Sequence, residues 1–172
     1  MSQLTEIIST EELQSNAGKY RDRDITQNMQ METLLIFSLE KRWYGCSASE
    51  LSEVFPLLSV TPLPFTHPSI LGLTNVRGDL LLVCDIRKYF GLSSALTASS
   101  IIVVHDQTSS TGILAETVKG VDHIPLSMFQ PALENRTGIP HEFIEGVTMY
   151  QGEILLWLSL KQIAKKMEDA MK

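Results

Sequence analysis

His67-Pro68-Ser69-Ile70-Leu71-Gly72-Leu73-Thr74-Asn75-Val76-Arg77-Gly78-Asp79-Leu80-Leu81-Leu82-Val83-Cys84-Asp85-Ile86-Arg87 is the stretch on which the fold turns. An apolar approach leads into a polar turn, Asn75-Val76-Arg77-Gly78. A continuous apolar run, Leu80 to Cys84, follows and reads as a buried strand. Two strand-like segments about a glycine-bearing turn make a hairpin. Asp85 then stands where a short helix needs its N-cap, with Gly91 as the stop.

The same alternation of apolar run and turn extends in both directions. Upstream, Leu34 to Leu39 is a strand, Glu40-Lys41-Arg42 a turn, and Trp43 to Cys46 the returning strand. Ala48 to Val54 reads as a short helical turn or a bent strand, with Leu51 and Val54 on one side and Glu50 and Glu53 on the other. Pro56, Pro62, Pro64 and Pro68 exclude long helices from the next segment, though Leu58-Ser59-Val60 fits an edge strand. Downstream, Ile101 to Val104 and Gly112 to Ala115 form a second hairpin, and Gly146 to Tyr150 with Ile154 to Leu158 a third. Ser159 caps a final helix whose Leu160, Ile163, Ala164 and Met167 form one apolar stripe. That stripe is expected to pack on its own domain.

An internal repeat underlies the pattern. Gly72, Thr74 and Gly78 recur at the same spacing as Gly146, Thr148 and Gly152, and Leu80 to Leu82 as Ile154 to Leu156. Gly45, Leu51 and Val54 recur as Gly112, Val118 and Val121. Positions held in both halves are expected to be structural, the glycines for turn geometry and the aliphatics for the core. Asn75 and Arg77 become Met149 and Gln151, so the architecture does not require them, and a specific role in the first half is expected instead. A surface Arg77 paired with Asp79 or Asp85 is the alternative. Strands of this length favour small barrels, and two barrels with a shared core suit the chain.

Composition narrows the function. The chain has 172 residues, with 44% hydrophobic and 20% charged residues, as in an ordinary globular domain. A net charge of −6 and a pI near 5.2 argue against nucleic acid and anionic lipid as partners. No apolar run approaches the roughly 18 residues of a membrane span. Met1 to Thr10 lacks the pattern of a signal peptide. Cys46 and Cys84, far apart among apolar residues, read as buried thiols in a reducing compartment, hence the cytoplasm. Residues 1–32 read as an extension: a short helix entered through the capping box Ser9 to Glu12, then a polar linker. His67, His105, His123 and His141 are scattered, and no catalytic, metal-ligand or phosphate-loop motif accompanies them. No metal or cofactor is expected.

Gly72-Leu73-Thr74-Asn75-Val76-Arg77-Gly78, with the strand that ends in Asp85-Ile86-Arg87, resembles the signature of CheW-like domains. Tyr44-Gly45, Leu51-Ser52-Glu53-Val54 and the segment from Gly112 to Pro125 are similar to further elements of that family. The chain is thus identified as a member from about Thr33 to about Lys165, with 33–172, C-terminal helix included, as the CheW-like domain. The resemblance implies a mainly β fold of two intertwined five-stranded SH3-like barrels, with short helices and a C-terminal helix. It also implies a non-enzymatic adaptor in chemotaxis or twitching motility. Its partners would be a CheA-type histidine kinase, met through the kinase's own CheW-like regulatory domain, and the cytoplasmic tip of methyl-accepting chemoreceptors. The protein would be cytoplasmic and recruited to membrane receptor arrays. Asn75, Arg77 and Glu53 are the positions the resemblance marks as partner-binding. A scaffold or competitor that binds receptors without activating the kinase is the first alternative, and a small-ligand-binding β-barrel the second. Ala115-Glu116-Thr117-Val118 and Ser159 depart from the family pattern, which often has Val-Asp-Glu-Val and a closing Asp there.

Overall fold

The computed structural model describes residues 29–132 and 137–171. The helix and linker expected before residue 29 lie outside the described residues. Ten strands follow: β1 (Met31–Leu39), β2 (Arg42–Ser47), β3 (Leu51–Pro56), β4 (Ile70–Val76), β5 (Asp79–Cys84), β6 (Ser100–His105), β7 (Ser110–Ala115), β8 (Thr117–Pro125), β9 (Ile144–Tyr150) and β10 (Glu153–Leu158). A short helix α1 (Ile86–Phe90) comes after β5, and a longer α2 (Leu160–Asp169) after β10. β1 begins two residues before Thr33, because Met31 still pairs with Pro125 of β8.

The strands form two five-stranded sheets, ordered β8-β1-β2-β10-β9 and β3-β6-β7-β5-β4. Each makes an SH3-like barrel, barrel 1 and barrel 2 respectively. The halves are intertwined: hairpin β1–β2 of the first half sits among second-half strands, and hairpin β6–β7 among first-half strands. The junctions are parallel, β2 on β10 and β5 on β7, whereas the other pairs are antiparallel.

Three apolar layers explain why the strands read as unbroken apolar runs. Leu34, Ile36, Ile124 and Leu155 fill barrel 1. Leu81, Val83, Ile101, Val103 and Leu114 fill barrel 2. The opposite faces of the same strands, with Phe37, Tyr44, Leu82, Ile102 and Leu156 among them, meet in a core shared by both barrels. Ile101 to Val104 therefore alternate between two interiors rather than between core and water. The stripe Leu160, Ile163, Ala164 and Met167 of α2 is buried in the shared core, as expected. Cys46 and Cys84 are free and buried, and burial pushes the Cys84 thiol up to about 12 and the Cys46 thiol higher still.

Two local readings change. Ala48–Glu50 is a 3-10 turn and Leu51–Pro56 a strand, so both expected forms occur in succession. Period-two alternation then puts Leu51, Glu53 and Phe55 on the less exposed face and leaves Val54 40% exposed. The helical grouping of Leu51 with Val54 is overturned. Leu58-Ser59-Val60 forms no strand; this proline-punctuated segment lies along β4 through an isolated bridge from Thr61 to Leu73 and a hydrogen bond from the Thr74 hydroxyl to the Ser59 carbonyl at 2.8 Å, with Val60 packed on the barrel 2 core. Among the described residues no helix is long and apolar enough to cross a membrane.

Candidate functional site

The β4–β5 turn carries the first candidate residues. Arg77 (φ 54°) and Gly78 (φ 96°) both adopt left-handed backbone, the geometry that joins strands through a two-residue hairpin. The repeat reproduces it at Gln151 (φ 50°) and Gly152 (φ 83°), so the backbone shape belongs to the fold. Gly78 and Gly152 thus lie in the turns. Gly72 and Gly146 lie within β4 and β9 rather than in turns: a Cβ at Gly72 would strike the Thr61 carbonyl, and one at Gly146 would press on the Phe129 side chain at 3.1 Å. Asn75 is exposed, and its Oδ1 accepts the Gly78 N–H at 2.9 Å, closing the turn. Met149 has no such acceptor, yet its turn has the same form, so this bond is an addition of the first half.

Arg77 reaches across to β3. Its Nη1 donates to Glu53 Oε1 at 3.2 Å, and its Nη2 lies 2.9 Å from Oε2, a two-pronged carboxylate contact. The guanidinium also sits 5.7 Å above the Phe55 ring. Its partner is therefore Glu53 rather than Asp79 or Asp85. Because β3 and β4 are the two edges of their sheet, the pair spans the seam of barrel 2. Side-chain exposures of 74% for Arg77 and 40% for Glu53 leave both within reach of a partner.

The other barrel solves the same problem with different chemistry. At its seam Lys119 of β8 donates to Gln151 Oε1 and lies 4.7 Å over the Tyr150 ring. The cation has moved from turn to strand. Beside the Arg77 turn, a groove of about 570 Å³ is lined by Leu58, Leu63, Leu73, Asn75 and Leu80. Leu80 is 69% exposed. An apolar groove next to an exposed bidentate Arg–Glu pair has the make-up of a protein-recognition patch. All three predicted contact residues meet here.

Two carboxylates that the sequence reading did not single out hold the barrels together. Glu116, in the crossing from β7 to β8, is buried and takes Arg87 Nη1 at 2.9 Å. Arg87 is pinned from its other side by Asp85 at 2.8 Å and donates to the Leu96 carbonyl. Hydrogen bonding to Asp85, then to Glu116, holds the guanidinium above its ordinary pKa against the opposing effect of burial. Glu116 also accepts the backbone N–H groups of Glu40 and Lys41, at 2.9 and 3.4 Å. Those two residues make the β1–β2 turn with φ of 51° and 63°.

Glu50, in the crossing from β2 to β3, has the matching position in the other half. It accepts the Leu160 N–H at 3.0 Å and the Ser159 hydroxyl at 3.0 Å, at the start of α2. Ser159 thus shares with Glu50 the capping work that Asp85 does at α1. Burial pushes the Glu50 carboxyl up, partly offset by these hydrogen bonds. The available signal for Glu116 was its place in Ala115-Glu116-Thr117-Val118, where the family pattern often has Val-Asp-Glu-Val, and Glu50 had none.

Among the described residues no group of three or more His, Cys, Asp or Glu side chains is placed to hold a metal. His67 is exposed and bonds Ser69 Oγ at 2.7 Å.

The family model of the CheW-like domain matches residues 33–168. The chain is 23% identical over 141 residues to chemotaxis protein CheW of Treponema pallidum, covering 78% of this chain and 83% of that one. It is 28% identical over 113 residues to protein PilI of Pseudomonas aeruginosa, covering 64% of each. Among solved structures, scaffolding protein TtCheW from Thermoanaerobacter tengcongensis superposes with a TM-score of 0.70 at 26% identity, covering 76% of this chain and 86% of that one.

Proposed function

Because the chain belongs to the CheW-like domain family, we propose that it is a non-enzymatic adaptor coupling methyl-accepting chemoreceptors to a CheA-type histidine kinase. The pathway it serves is chemotaxis or twitching motility, and the protein is cytoplasmic and recruited to receptor arrays. The observation that carries this reading is the exposed Arg77–Glu53 fork beside an apolar groove on barrel 2. An exposed ion pair of this kind contributes at most about 1 kcal/mol to folding. An arginine in the same setting often dominates a protein interface. Asn75 closes the turn that presents Arg77 and offers its amide nitrogen to a partner.

The kinase's CheW-like regulatory domain and the receptor's cytoplasmic tip are the partners this patch serves. The test is reconstitution with receptor-bearing membranes and the kinase. Coupling requires that autophosphorylation rise when the chain is added. Receptor binding with a silent kinase would replace coupling with the scaffold or competitor reading. Failure to bind either partner would overturn both.

A further inference from the structure

We propose that the stretch Ile7-Ile8-Ser9-Thr10-Glu11-Glu12 of this chain docks on a groove of barrel 1. The face of β9–β10 that packs on the shared core runs out beyond it. Met149 and Ile154, paired across the two strands, are left 58% and 61% exposed. With Met128 they line a concavity of about 430 Å³. Ile154 also lines a second concavity of about 430 Å³, whose other walls include Lys41, Arg42, Trp43 and Leu156. A third hollow, at Met29, Gln30, Leu126 and Ser127, adjoins the first through Ser127. Together they make one track, apolar in the middle and cationic at the far end.

Three observations select the occupant. The track begins at Met29–Gln30, where the first 28 residues join the described chain, and Gln30 is anchored there by the Leu126 N–H at 2.8 Å. Those 28 residues contain one adjacent pair of aliphatics, Ile7-Ile8, and the acidic pair Glu11-Glu12 stands three residues beyond it. That order offers apolar groups to Met149 and Ile154 and carboxylates to Lys41 and Arg42. Glu153 is the one acidic wall residue, and Lys119, 5.2 Å over the Trp43 ring, adds a third cation nearby. Reach is ample: the residues between Glu12 and Met29 span up to about 50 Å extended, against a domain radius of gyration of about 15 Å. The surface lies on the opposite barrel from the Arg77 patch, so the two proposals stand or fall separately.

The test uses the full chain. Hydrogen exchange is followed at the amides of residues 149–156, and acrylamide quenching at Trp43 in a Trp157→Phe background. Ile7→Asp with Ile8→Asp is expected to raise both exchange and quenching at least threefold without moving the thermal midpoint. Lys41→Glu with Arg42→Glu is expected to do the same, and adding Glu11→Lys with Glu12→Lys to restore protection. Unchanged exchange and quenching in the isoleucine variant would overturn the proposal, as would charge exchange without recovery. Protection that depends on protein concentration would also overturn it, assigning the groove to a second copy.

Discussion

Arg77 and Glu53 are joined by a two-pronged contact, with a shorter arm of 2.9 Å, across the two edge strands of barrel 2. The pair is at once a seam contact and an exposed charged feature beside the groove. Arg77→Glu separates these roles. Its thermal midpoint should correspond to a loss below about 1 kcal/mol. Capture of kinase or receptor should fall about thirtyfold, equivalent to about 2 kcal/mol. The exchange Arg77→Glu with Glu53→Arg rebuilds the seam and should recover the midpoint but not the capture. A large loss of stability in the single variant would make Arg77 a structural residue.

Glu116 has the opposite character. It is buried and serves Arg87 and the left-handed β1–β2 turn together. Glu116→Ala leaves a buried guanidinium short of a partner and should cost about 3–5 kcal/mol in urea unfolding. Glu116→Gln keeps an acceptor and should cost clearly less. Equal losses would mean that packing, not charge, gives Glu116 its weight.

Glu50 gives a pH dependence. Its carboxyl is raised from the ordinary 4.5, chiefly by burial. A group raised in the folded state holds its proton more tightly there, so its contribution to stability is fully present below the unfolded value. That contribution is lost as pH rises from about 4.5 through the raised value. Glu50→Gln should flatten the fall of stability across this window, read from denaturation midpoints at stepped pH. An unchanged slope would remove Glu50 as its source.

Gly72 and Gly152 are both left-handed yet differ in what surrounds them. A Cβ at Gly72 would stand 1.9 Å from the Thr61 carbonyl oxygen, whereas one at Gly152 meets nothing within 4 Å. Gly72→Ala should therefore destabilise by about 3 kcal/mol or more, and Gly152→Ala by about 1 kcal/mol of backbone strain. Comparable midpoints for the two would contradict the close approach at Thr61.

The sequence disclosed what is local or repeated. The hairpins, the caps at Asp85 and Ser159 and the apolar stripe of α2 follow from turn residues and periodicity. Glu53 and Arg77 were each legible, through family resemblance, as residues of interest. Their pairing was not, since the nearer Asp79 and Asp85 offered the same chemistry. The repeat comparison also hid the barrel 1 seam. It sets Gln151 against Arg77, but Lys119 falls opposite Ser52, so the exchange of cation between turn and strand leaves no trace. Glu50 stays invisible for a plainer reason: its partners lie more than a hundred positions away. Helical turn and bent strand were both legible for Ala48 to Val54, but Leu51 and Val54 were grouped on one face because so short a stretch fits a helical and a strand period alike.

The exchange of hairpins between the halves bears on ancestry and on folding. A half-length chain with this plan would leave its own sheet unfinished and could complete it only with a second copy, as a swapped dimer. Fusion of two such copies ties the partners together at high effective concentration. It also frees the two seams to diverge, one to arginine and glutamate, the other to lysine, glutamine and tyrosine. The same arrangement makes four of the eight strand pairings distant in sequence, so folding should be slow for a protein of this size and should reach completion only when both halves are present.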